Sequence, residues 1–375
     1  MIKNLLARFR KSGKVETDIS GARLHLYALP ADFGDSILIQ FVGKDEKDHY
    51  IWIDGGLVST YEQSGKAVLS AIANREESVD LLVVTHVDRD HIGGVLALAR
   101  DNDAPHEHVK QYWFNASRNL AQHFNTRHHP DREVALNQET SRSIEQGMKL
   151  ESFLQRENKW HQKPIMGLGI TQLHGMDIIV LGPNEESLKS LADRWEDELA
   201  EKALDRSLEP SQTRESLEAL AEAPFREDNS KANQSSIVLA LEYEGYRILL
   251  PGDAHPSDLC KALKRLGYTP QNPMVLDALK LSHHGSKGST SPEFLDLIDC
   301  STYIISTDGS RYGLPHREAL ARIVMHPRNQ KRETRFYFNY DNETLRQVFS
   351  EEEIKTHRIR CIYPKQASLG AVLSY

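Results

Sequence analysis

A chain of 375 residues, 39% hydrophobic and 27% charged with a net charge of −8, has the apolar mass for one large domain or two modest ones. Mean hydropathy is −0.52 and no apolar run approaches the roughly 18 residues a bilayer crossing requires, so no membrane span is expected. The cysteines Cys260, Cys300 and Cys361 are too few and too scattered for a disulfide framework or thiolate cage; the first residues lack the apolar core of a secretory signal, so a cytoplasmic location is expected.

The acidity is local. Residues 184–228 carry 14 acids and 6 bases, an excess equal to that of the whole chain, which leaves 40 acids against 40 bases elsewhere. Net charge therefore excludes neither nucleic acid nor an acidic substrate.

In chain order, Leu24–Leu29, Ile37–Phe41 and Tyr50–Ile53 read as a β-meander, closed by Asp54-Gly55-Gly56. A helix carrying Val68, Leu69 and Ile72 follows, then an apolar strand over 81–85 and a helix opening near Gly93. Residues 100–165 are polar and histidine-rich (His106, His108, His123, His128, His129, His161), with a helix predicted over 141–156, and read as a solvated insertion. After a hairpin over 170–181, Leu188, Leu191, Trp195 and Leu199 share one helical stripe in the acidic segment, a second insertion. Strand patterns resume at 236–241, 247–250 and 276–282. The expected organisation is a single domain over 1–375, with insertions at about 100–165 and 184–228 and a C-terminal extension at about 316–375.

Directly after the 81–85 strand comes Thr85-His86-Val87-Asp88-Arg89-Asp90-His91-Ile92-Gly93-Gly94: two imidazoles and two carboxylates in six positions. A helix cap explains one of them. Alternating side chains on a strand-terminal loop can grip one cation with His86 and Asp88 and a second with Asp90 and His91. Asp253 and the pair His283-His284 likewise end apolar strands, which points to one shared site at a sheet edge.

With these residues in view, the sequence resembles the metallo-β-lactamase superfamily, and within it the hydrolase domain of the DNA-uptake channel protein ComEC/Rec2. The likeness lies in the HxDxDHIGG loop, Asn233-x-Ser235-Ser236-Ile237-Val238-Leu239, Leu250-x-Gly252-Asp253 and Leu279-Lys280-Leu281-Ser282-His283-His284-Gly285-Ser286, over residues 22–99 and 168–315. The resemblance implies an αββα four-layer sandwich of the metallo-β-lactamase type, with two divalent ions at its rim. Carried over, the metal ligands are His86, Asp88, Asp90, His91, Asp253 and His283. His283 is favoured over His284 because it follows the strand first, which leaves His284 either as a support behind the ligands or as a proton donor. Asp54 is expected either to orient a ligand histidine or simply to form the turn before Gly55-Gly56, and Asp35 to shape its turn. Gly182 stands where many members place a further histidine, and His174 is the nearest substitute. Two such ions, zinc or manganese, make hydroxide available near neutral pH.

The expected activity is a metal-dependent phosphodiesterase or nuclease; the alternatives are a small-ester, lactone or amide hydrolase and a partner-binding component of an antiviral defence or nucleic-acid-processing complex. Lys280, Lys287, Arg311, His316 and the run His326–Arg335 are candidate contacts to nucleic acid, and the 184–228 insertion is a candidate surface for a protein partner.

Overall fold

Several strands are buried along nearly their whole length rather than at alternate positions, as in β1 (Leu24–Ala28), β2 (Ile37–Val42) and β3 (Asp48–Ile53). That pattern requires cover on both faces of a sheet. The computed structural model, which describes residues 21–103, 105–125, 143–194 and 215–375, shows how it is supplied. Strands β1–β3 form an antiparallel meander joined in parallel by β4 (Leu81–Val83) and β5 (Tyr112–Trp113). The second sheet starts with the antiparallel run β6 (Gly169–Leu173), β7 (Met176–Gly182), β8 (Val238–Tyr243) and β9 (Tyr246–Leu250). It continues in parallel after β9, skipping the short outlying pair β10 (Met274–Leu276) and β12 (Ile298–Cys300), through β11 (Ala278–Lys280), β13 (Thr302–Ile305), β14 (Thr334–Phe338) and β15 (Ile359–Ile362).

Three apolar clusters define four layers. Leu26, Ile39 and Ile51 of the first sheet meet Ile178, Leu239 and Ile248 of the second between the sheets. Ile72, Val95 and Phe153 cover the first sheet from outside, and Leu259, Leu295 and Leu320 cover the second. This is the expected αββα sandwich.

The 100–165 stretch contributes more than a solvated excursion: β5 extends the first sheet, and the helix Ser143–Glu157 buries Leu150, Phe153 and Leu154 in its outer layer. His128 and His129 lie outside the described residues. In the acidic segment, helix Glu185–Arg194 buries Leu188 and Leu191 in that same layer, so this half of the apolar stripe is used in the core; Trp195 and Leu199 lie outside the described residues. The stretch from 316 onward is built into the body of the fold, since β14 and β15 widen the second sheet while β16 (Ala371–Ser374) pairs antiparallel with β1. No helix among the described residues is long and apolar enough to cross a membrane.

Candidate metal centre

Parallel strands bring their carboxyl ends to one edge, and the polar residues that end them therefore converge. Asp54 follows β3, Thr85–His91 follows β4, Asp253 follows β9, His284 follows β11 and Ser306 follows β13. Helix Arg89–Arg100 starts here with Asp88 at its N-cap, yet the Asp88 side chain makes no capping hydrogen bond and its Oδ2 lies 3.6 Å from His86 Nε2. Gly94 lets this helix close on the first sheet, since a Cβ there would fall 1.9 Å from the Gly55 carbonyl.

A chain of hydrogen bonds fixes the imidazoles. Asp54, fully buried, accepts from the Thr85 amide and hydroxyl at 2.7 Å each and from His91 Nδ1 at 2.8 Å. Because the Thr85 hydroxyl donates to Asp54, it can only accept from His86 Nδ1, 3.0 Å away. His284 Nδ1 donates to the Ser306 carbonyl at 2.9 Å. Each Nδ1 thus carries a proton, so a ring that binds a cation in its neutral form does so through the Nε2 lone pair. His86, His91 and His284 all have a buried Nε2 with no hydrogen-bond partner. These atoms converge on Asp253 Oδ2 at 3.9, 3.3 and 3.7 Å, and His284 Nε2 lies 3.5 Å from Asp90 Oδ2.

Nε2 atoms set against carboxylate oxygens require positive charge between them, supplied by a proton or by a metal ion. The electrostatics register the same demand. Burial favours the neutral forms, but Asp253 and Asp35 outweigh it at His284, whose pKa is pushed up to about 9, and Asp253 and Asp54 hold His91 well above the ordinary imidazole range. Burial would likewise raise the Asp253 carboxyl, yet His91, His284 and His283 hold it well below the carboxylate range. The donor set of imidazoles and carboxylates fits divalent cations. His86, His91 and Asp253 converge closely enough to hold one cation, with Asp88 beside His86, and Asp90, His91 and His284 closely enough to hold a cation as well.

Sequence expectations at four residues are corrected here. His283 does not turn into the centre: its Nδ1 faces Asp228 Oδ2 at 3.5 Å and Asn233 Nδ2 at 3.4 Å, and its side chain is 29% exposed, whereas His284 is buried among the carboxylates. Both residues are left-handed (φ 48° and 54°), so the chain reverses after β11 and the second imidazole, not the first, points inward. The proton-donor role expected of His284 is incompatible with a Nδ1 tied to a carbonyl and a Nε2 aimed at the ligand carboxylates. Lys280 is also not a contact for substrate. Fully buried, its Nζ pairs with Asp35, lies 3.7 Å from Asp253 Oδ1 and donates to the Gly252 carbonyl at 3.2 Å. Asp35 in turn sits 3.4 Å from His284 Nδ1, so it supports a ligand rather than only shaping a turn. A charged residue inside the apolar Leu279-Lys280-Leu281 was the sequence signal for a buried counter-ion.

His174 lies elsewhere, in the β6–β7 turn, stacked on His49 with ring centroids 3.6 Å apart. Gly182 ends β7 against Val238. The basic run at 326–335 precedes β14 at the amino end of the parallel strands, across the sheet from the centre, and its arginines are engaged: Arg328 donates to the carbonyls of Pro270, Leu295, Asp296 and Ile298, Arg332 pairs with Asp299 and Arg335 with Glu333.

A His/Asp set of this kind at the rim of an αββα sandwich defines a metal-dependent hydrolase fold. The chain matches the model of the metallo-β-lactamase superfamily over residues 29–309, and it belongs to that superfamily. It is 34% identical over 105 residues to ComE operon protein 3 of Bacillus subtilis (strain 168), an alignment that spans 28% of this chain and only 13% of that protein, in keeping with the ComEC-like branch. Among solved structures, CmlA, a diiron β-hydroxylase from Streptomyces venezuelae, superposes with a TM-score of 0.40 at 10% identity, covering 100% of this chain and 59% of that one. A long form RNase Z from yeast gives 0.31 at 9% identity, covering 69% and 32%.

Proposed function

We propose that the protein is a phosphodiesterase acting on nucleic acid with two divalent ions, zinc or manganese. The carrying observation is the convergence of three buried Nε2 atoms, none with a hydrogen-bond partner, on a carboxylate-rich rim that reaches solvent, Asp88 being 32% and Asp90 21% exposed at the side chain. Three carboxylates among the ligands make the set hard, which suits manganese as well as zinc, and an open rim suits a polymer. The sequence resemblance to the hydrolase domain of a DNA-uptake channel protein supports the same substrate class, and three free cysteines suit a reducing compartment.

When bound, such ions lower the pKa of a coordinated water toward about 7 and neutralise charge on a scissile phosphate. The chain's own residues set the geometry. Asp54 and Thr85 fix His91 and His86, while Ser306 and Asp35 fix His284. Lys280 faces Asp253 Oδ1 and leaves Oδ2 to the ligand cluster.

A second reading, hydrolysis of a small ester or amide, is supported by a cavity of about 550 Å³ bordered by Leu181, Gly182, Ser236, Val238 and Ala254, a size that suits a small ligand. Its wall residue Ser236 is 3.3 Å from His86 Nδ1. The test is cleavage of single- and double-stranded DNA, RNA and small esters in manganese or zinc by the wild type, His284→Asn and His283→Asn. Metal-dependent strand cleavage is expected, reduced at least about a hundredfold by His284→Asn, since a ligand supports several kcal/mol of catalysis, and less than about tenfold by His283→Asn. Turnover of esters alone would overturn the nuclease reading in favour of the second.

A further inference from the structure

Two loops are stitched together beside His284. In the first, Ala31–Asp35, Gly34 lies so close to Asp90 that a Cβ would sit 2.0 Å from its carbonyl, and the Asp35 amide donates to that same carbonyl. In the second, 306–316, the Ser306 hydroxyl donates to the Gly34 carbonyl at 2.8 Å, the Asp308 amide to the Asp32 carbonyl at 2.8 Å and the His316 amide to the Gly285 carbonyl at 3.0 Å. Both ends of the second loop are thus anchored to segments that carry the centre, and its tip, Arg311-Tyr312-Gly313, is exposed.

Tyr312 is held there at two costs. The residue is 46% exposed and its φ is +56°, a left-handed conformation that a bulky side chain rarely adopts. Asp32, Asp54, His283 and His284 share that backbone region around the centre, but each of them is hydrogen-bonded or ion-paired by its side chain to a neighbour. No ring among the described residues stacks on Tyr312. Beside it, the Arg311 guanidinium carbon lies over the Phe33 ring, 4.7 Å from its centroid, and no carboxylate among the described residues pairs with it. Strain and apolar exposure that the fold does not repay point to something outside the chain. A guanidinium on a ring, next to a bare phenol, presents stacking faces and an uncompensated positive charge, which is the chemistry that holds unpaired bases and their phosphates.

We propose that Tyr312, with the Arg311–Phe33 pair, is a stacking platform that seats an unpaired base beside the scissile phosphodiester, so that single-stranded nucleic acid is the preferred substrate. This rests on the phosphodiesterase reading and adds the choice of strand. The deciding variant is Tyr312→Gly, because glycine is relaxed at this φ: it should melt at or above the wild-type temperature, which separates loss of the ring from loss of the fold.

The experiment measures kcat and KM on a single-stranded oligonucleotide, on the same strand in a duplex, and on a strand carrying one abasic position moved stepwise past the cleavage point. Expected are a wild-type preference for the single strand and a penalty when one particular flanking base is missing. Tyr312→Gly should raise KM on the intact strand about tenfold, the weaker end of a base–aromatic stack, and abolish the abasic penalty, while Tyr312→Phe keeps both at wild-type values. A Tyr312→Gly protein with wild-type KM and an unchanged abasic profile overturns the platform and leaves the phosphodiesterase reading intact. A wild type that cleaves duplex as well as single strand overturns the strand preference. Failure to cleave any nucleic acid overturns the underlying reading and the platform with it.

Discussion

The two ends of the sandwich carry the same kinds of residue and arrange them to opposite effect. At the far end, His49 has Nδ1 at 3.1 Å from Asp80 and Nε2 at 3.0 Å from Asp45, so both ring nitrogens are engaged. Asp80 also accepts from the Tyr50 amide and from Lys110 Nζ at 2.7 Å. At the near end each Nδ1 is tied and each Nε2 is left over. A histidine–carboxylate cluster therefore reads as a metal centre by its unpartnered Nε2 atoms and not by its composition. The far cluster, His174 included, reads as a clasp between the β2–β3 and β6–β7 turns.

The largest effect that tests this contrast should come from Lys280→Met. It leaves Asp35 and the Asp253 Oδ1 side without their buried cation, which is expected to cost about 3–5 kcal/mol of stability, read by chemical denaturation. The double variant Lys280→Met/Asp35→Asn should recover part of that loss, and full additivity would contradict the pairing. Next in size is a pH effect on protein stripped of metal by a chelator. The folded pKa of His284, about 9, lies above the ordinary imidazole value near 6.5, so its stabilisation is complete below about pH 6.5 and drains away as pH rises through 9. His91 shifts in the same direction. Melting temperature should accordingly fall between those limits in the stripped protein, and metal loading should flatten the fall; a flat profile without metal would show that the imidazoles do not bear that charge. The smallest effect belongs to Asp45→Asn at the far cluster. With Asp45 45% exposed, it should change stability by no more than about 0.5 kcal/mol and metal content not at all. A lost equivalent of metal would make the clasp a second cation site.

Much of the near end was legible in the chain itself. The loop from His86 to His91 and the carboxylate at Asp253 declare themselves because each follows an apolar run, and strand ends are where an α/β layer collects its chemistry. The choice between His283 and His284 was not legible: it turns on two consecutive left-handed residues, and neighbouring identical side chains carry no sequence mark of which one faces in. Asp35 was read as a turn residue because its partners, Lys280 and His284, lie some 245 positions away and meet it only through packing of the two sheets. The basic run at 326–335 misled for the complementary reason. Its charge is plain in sequence, but the direction of β14, which puts that charge on the opposite edge, is set by strand pairing.

The pairing of β16 with β1 has a further bearing on how the molecule is made. His25 and Ser374 touch across 349 positions, which at about 5–20 residues per second of synthesis leaves β1 waiting roughly 20–70 s for its neighbour. Throughout that interval the nascent chain presents an open row of amides and carbonyls to any other strand, so crowded expression favours inclusion bodies over folded product, and slow growth at low temperature favours recovery.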